Sequence, residues 1–178
     1  ARLRLPPQIV ARGYCRASIG TVSHLPVLRL APVKENRNNC PFLTGDHCAI
    51  HDAEPLVCAL YPLAQEISRK GQPTGCGGQV IEARVEDYLA RYDVPAREQT
   101  DVRWAQTCMT LEDTVEQLGA QLSPVLVRRM QDKLWQALYF GYDYAAPFLP
   151  QLEKNLHWLD AEFAKLTEYQ QKRNNASK

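Results

Sequence analysis

Cysteines are concentrated in one part of this chain. Four of its six cysteines fall in a single window, and seven, nine and seventeen residues separate them in turn: Cys40, Cys48, Cys58 and Cys76. Thiolates are soft, negatively charged ligands that suit zinc and iron–sulfur clusters, and both kinds of centre take four such donors. The window therefore predicts one metal centre, a zinc ion or an iron–sulfur cluster, with these four cysteines as its ligands.

Disulfide bonds and buried packing thiols are the alternatives to a metal. Disulfide frameworks typically belong to short secreted chains that carry a signal peptide, and no signal peptide is visible in this sequence. The predicted compartment is therefore reducing, the cytoplasm, where clustered cysteines more often bind metal. The spacing differs from the paired cysteines of a zinc finger and from the compact run of a bacterial ferredoxin.

The remaining two cysteines and two nearby histidines are further candidates for roles at or near this site. Cys15 lies upstream and is an alternative further ligand, while His47 and His51 lie among the cysteines and could complete a mixed site. We interpret both histidines as bystanders. Cys108 falls on the apolar stripe of a predicted helix, so core packing is the expected role of its side chain.

The segments "CPFL", "CAIH", "EPLVCALYP" and "GCGG" occur in that order through the window. The order resembles the zinc- or iron-chelating cysteine-cluster domain of bacteria, the YkgJ-like family, which is related to bacterial flagellin lysine methylase. The resemblance extends over about residues 28 to 120. The matching residues are Cys40, Phe42, Leu43, Cys48, Ile50, Pro55, Cys58, Tyr61, Pro62 and Cys76.

The resemblance implies a cysteine-ligated metal. Its methylase relatives imply an iron–sulfur cluster, and the family description also includes zinc. An iron–sulfur-dependent enzyme of the protein lysine methylase or redox type is therefore the alternative function. Members of the family usually carry an earlier run of cysteines, whereas only Cys15 precedes Cys40 here.

Composition excludes several other classes of protein. The net charge of the 178 residues is +1, which gives no support to nucleic-acid binding. No apolar run approaches the roughly 18 residues of a membrane helix. Phosphate-binding glycine loops, dinucleotide fingerprints and serine nucleophile elbows are all absent from the sequence. The expected partners are the metal and a protein of unknown identity.

Two parts of different character must position the cysteines. Residues 1–83 are rich in proline and glycine, which favours a loop-rich metal module with short strands at 27–33 and 63–68 and a short helix carrying Cys58. Residues 84–178 form the helical part of the same domain. Helices are expected over 85–93 and 96–120, a third opens at Ser123-Pro124, and a fourth runs from about Pro147 or Pro150 to Gln171. The polar C-terminal tail is expected to fray. The predicted fold class is α+β, mostly α, with the cysteine module packed against about four helices.

Overall fold

The computed structural model describes residues 5–34, 39–51, 58, 64–67, 73–77, 94–143 and 145–176, with 64–67, 73–77, 94–99 and 101 described by their backbone. Within these ranges the helices are α1 (Pro7–Tyr14), α2 (Val94–Gln121), α3 (Pro124–Trp135), which continues into a π-helical segment (Gln136–Phe140), and α4 (Phe148–Ala176). The strands are β1 (Cys15–Ile19), β2 (Pro26–Leu30), β3 (Leu43–Thr44), β4 (His47–Cys48), β5 (Ala64–Ile67) and β6 (Pro73–Gly77). The strands form three antiparallel two-stranded ribbons, β1–β2, β3–β4 and β5–β6. This confirms the predicted fold class, α+β and mostly α.

The chain divides into two compact units. The first comprises Ala1–Pro41 and Glu112–Lys178, and the second comprises Phe42–Leu111. The predicted boundary at residues 83 and 84 lies outside the described residues and stays a prediction, as does the predicted helix at 85–93.

The hydrophobic core of the first unit lies between α3, the π-helical segment and α4. Apolar residues at three- and four-residue intervals place one face of each helix inward, as the periodicity predicts. Burying one leucine or methionine side chain contributes about 1.5–3 kcal/mol. The most deeply buried members are Leu126, Met130, Leu134, Ala137, Leu152 and Leu159.

Several helix boundaries differ from the predictions. Pro95 is the second residue of α2, so this helix begins at Val94, two residues before the predicted start at residue 96. The chain before Cys15 was predicted to be loop, yet α1 opens at Pro7, because proline is well tolerated in a first helical turn. Pro124 opens α3 as predicted and Ser123 occupies the N-cap, but its side chain makes no capping hydrogen bond. The N–H of Ser123 instead donates to Gln170 Oε1 at 3.0 Å.

The C-terminal tail is helical where fraying was expected, since α4 continues to Ala176. Two side-chain pairs four residues apart support its last turns. Lys172 Nζ lies 2.6 Å from a carboxylate oxygen of Glu168, and Gln170 Nε2 donates to Asn174 Oδ1 at 2.8 Å. Such pairs between residues four apart add a small stabilisation to a helix.

Side-chain donors form hydrogen bonds with backbone carbonyl groups in and just after the π-helical segment. Asn155 Nδ2 donates to the carbonyl oxygens of Ala137 at 3.3 Å and Gly141 at 3.0 Å. Tyr142 Oη also donates to the Ala137 carbonyl, at 2.9 Å. Tyr139 Oη donates to the carbonyl of Pro26 at 3.1 Å and so ties the segment to β2. In the described part of the chain, no helix is long and apolar enough to cross a membrane.

Candidate metal centre

The hairpin β3–β4 carries the second cysteine of the window. Leu43 pairs with Cys48 and Thr44 with His47, and the N–H of Ala49 donates to the carbonyl of Phe42 at 2.8 Å. Gly45 has a φ of +60°, and the only other described residue with a positive φ is His24. A two-residue loop with a positive φ at its first position is a type II′ turn, which requires glycine there. The turn at Gly45 therefore sets the position of Cys48 in the hairpin.

The strand geometry separates Cys48 from its neighbour His47. Successive side chains on a strand point to opposite faces, so these two side chains leave the ribbon in opposite directions. Cys48 is half-buried and His47 is exposed. His51, which lies just beyond the hairpin, is also exposed. This arrangement favours the interpretation of His47 as a bystander to Cys48.

The other three predicted ligands occupy three different local settings. Cys40 is exposed and lies two residues before the buried Phe42. Cys58 is exposed and has a helical backbone, as the predicted short helix requires, while residues 52–57 and 59–63 lie outside the described part of the chain. Cys76 lies in β6, where it pairs with Gln65 of β5.

The strands at 27–33 and 63–68 are found at Pro26–Leu30 and Ala64–Ile67. Strand β6 contains Cys76 and pairs with β5, so a two-stranded antiparallel ribbon carries this cysteine. Cys40 belongs to the first unit and the other three cysteines of the window to the second. Among the side chains that the structure describes, no three Cys, His, Asp or Glu residues are grouped to hold a metal ion.

The described cysteines are thiols and not disulfides: Cys15, Cys40, Cys48, Cys58 and Cys108. Unpaired cysteine is among the most frequently buried residue types. The exposure of Cys40 and Cys58 is therefore unusual for thiols whose only role is packing. A set of four thiolates would fit zinc or an iron–sulfur cluster by its donor chemistry.

Cys15 and Cys108 differ from these exposed cysteines. Cys15 begins β1 and is half-buried, and this burial raises the pKa of its thiol. A raised pKa leaves less thiolate at neutral pH, so Cys15 is less suited to bind metal or to react. Cys108 is half-buried on α2, beside the buried Thr107. Its position agrees with the packing role expected from the apolar stripe, although its burial is only partial.

Leu43 and Gln65 are the cross-strand partners of Cys48 and Cys76. Sequence reasoning named Leu43 only as a matching residue of the resemblance, and it did not single out Gln65. The signal for the first partner was available, since the "TGDH" segment has glycine at the first position of a two-residue turn. Leu43 follows from that turn by counting outwards along the two strands. No family model, curated protein or solved structure matches the chain.

Proposed function

We propose that this protein binds one zinc ion or one iron–sulfur cluster through four thiolates, those of Cys40, Cys48, Cys58 and Cys76. The observation that carries the proposal is the exposure of Cys40 and Cys58 within a cysteine-rich window. Packing does not account for these two thiols, and neither forms a disulfide. The thiolate is the form of cysteine that binds metal, and zinc and iron–sulfur clusters are commonly held by four of them.

The resemblance to the YkgJ-like family supports the same assignment. It concerns the order of the four cysteines and the residues around them, and it leaves open whether the metal is zinc or iron. The proposed location is a reducing compartment, the cytoplasm, because thiols persist there as metal ligands.

The metal would contribute to folding as well as to function. The second unit contains three of the four cysteines, and two of them, Cys48 and Cys76, lie on short two-stranded ribbons. Because a preformed site rarely exists in an unfolded chain, the free energy of metal binding adds to the free energy of folding. A chelator or an oxidant should therefore unfold the region around the window first.

The test is metal analysis and visible absorbance of protein purified without oxygen. Iron and sulfide in equal amounts with visible absorbance would identify a cluster, and a colourless protein with one zinc per chain would identify a zinc site. A colourless zinc protein would also contradict the alternative of an iron–sulfur-dependent methylase or redox enzyme.

Variants then assign the ligands. The double variant Cys48→Ser/Cys58→Ser should lose stoichiometric metal, whereas Cys108→Ala should keep it, because Cys108 lies on α2 outside the window. Circular dichroism of both variants checks that the helices remain. Full metal retention in the double variant would overturn the proposal.

A further inference from the structure

A cleft of about 320 Å³ lies in the first unit, and its lining residues are all outside the cysteine window. The loop between β1 and β2 forms one side of it, and α2 and α3 form the others. Val115 and Met130 line it and are almost fully buried, so they form its apolar base. The volume lies at the lower end of the range for pockets that bind small molecules.

His24 lines this cleft in a strained backbone conformation. Its φ is +54°, the only positive value of a non-glycine residue in the described ranges. Its N–H donates to the carbonyl of Gly20 at 3.0 Å, and its own carbonyl accepts a hydrogen bond from Gln131 Nε2 at 2.9 Å. Strained residues persist where the surrounding structure holds them, and they concentrate at binding sites.

Two polar groups of the cleft, besides the imidazole of His24, are acceptors. Glu116 is exposed, and no ion pair to it is found among the described residues. Gln131 Oε1 is buried and has no hydrogen-bond partner in the described part of the chain. No lysine or arginine lines the cleft. A carboxylate and an unpaired amide oxygen together make the cleft electronegative, and an apolar wall strengthens their field.

Gly119 keeps one wall of the cleft open. It lies inside α2, where glycine is less favourable than alanine. A Cβ built on Gly119 would meet nothing within 4 Å. Close packing within the protein therefore does not require glycine here, and the space beside Gly119 is open.

We propose that this cleft binds a small organic ammonium ion. The apolar body of the ligand would cover Val115 and Met130, and its ammonium group would donate to the carboxylate of Glu116. The partial charge of Gln131 Oε1 favours the same sign of ligand. None of the four cysteines lines the site, so the proposal does not depend on metal.

The experiment titrates the full chain with cyclohexylammonium and, separately, with neutral cyclohexanol in a mildly alkaline buffer of low ionic strength. Two-dimensional amide NMR spectra follow the signals of His24, Gly119 and Gln131. We expect saturable shifts at these residues, with tighter binding of the ammonium ion. Absence of saturable shifts, or equal affinity for the two compounds, would overturn the proposal.

Variants separate charge from space. Glu116→Gln should weaken ammonium binding about threefold to tenfold and leave cyclohexanol binding unchanged. Asp160→Asn removes an exposed carboxylate on α4 and serves as the matched control, with no effect on either compound. Gly119→Leu should block both compounds, because the new side chain enters the open space. Unchanged ammonium affinity in Glu116→Gln would contradict the assigned role of this carboxylate.

Discussion

Cys48 lies directly opposite Leu43 across the β3–β4 ribbon. The register of a two-residue hairpin is set by its turn, and a slip of one residue would move Cys48 to the other face. The conformation of Gly45 therefore determines on which face of the ribbon the thiol lies.

Replacing Gly45 by alanine should destabilise the hairpin by about 1–2 kcal/mol, because a residue with a Cβ is strained at positive φ. A Cβ at this position would meet nothing within 4 Å, so the loss would come from the backbone alone. Urea denaturation measures this loss of stability. Metal analysis of the same variant measures its metal content. Gly45→Asn should lose less, since asparagine tolerates this region. Gly13→Ala in α1 is the control and should not destabilise; an equal loss in both alanine variants would contradict the argument.

Removing the side chain of Asn155 should destabilise the first unit. The variant Asn155→Ala leaves the carbonyls of Ala137 and Gly141 without its two hydrogen bonds. The expected loss is about 1–3 kcal/mol in the free energy of unfolding. Lys154→Ala, at an exposed neighbouring position of α4, should change stability far less. Chemical denaturation of the two variants compares them, and similar losses would show that these hydrogen bonds contribute little.

The stability contributed by Glu162 should depend on pH. Its pKa is lowered, chiefly by hydrogen bonds from Lys133 and Lys165 and further by their positive charges. A lowered pKa in the folded state stabilises the protein above the unfolded pKa of about 4.3, and this contribution is lost as the pH falls through the folded value. The difference in melting temperature between the natural protein and Glu162→Gln should thus be largest near neutral pH.

That difference should shrink in acid and in high salt, which screens exposed charges. Glu168→Gln provides a comparison, because a single lysine, Lys172, lowers the pKa of Glu168. The change in melting temperature caused by Glu168→Gln should be smaller than the change caused by Glu162→Gln. A difference for Glu162→Gln that stays constant down to strongly acidic pH would contradict the role of the ion pair.

Alkylation should distinguish the cysteines. In metal-free folded protein, Cys40 should react with iodoacetamide before Cys15, because Cys40 is exposed while burial raises the pKa of Cys15. Mass spectrometry of the digested protein measures the order. Denaturant should bring the two alkylation rates together. Bound metal should protect Cys40 from alkylation and leave the rate at Cys15 unchanged. Faster reaction at Cys15 in the folded protein would be inconsistent with the structure.

The helical half was largely predictable because its signals are local. Apolar residues at three- and four-residue intervals identified α2, α3 and α4, and Ser123-Pro124 marked the start of α3. The errors arose where one residue type has two uses. Pro7 was interpreted as part of a loop, although proline also opens helices, and Pro95 was placed just before a helix whose first turn includes it. The polar end of α4 was interpreted as a frayed tail.

By itself, the sequence determined the mostly helical class, the heptad-like apolar faces and the clustering of four cysteines, because these depend on neighbours along the chain. Only the tertiary structure decided that Cys40 is exposed while Cys15 is half-buried, and that Gln131 holds the carbonyl of His24. Those two residues are 107 positions apart. Burial and such contacts depend on which distant segments meet in the fold, and no local spacing in the sequence records that.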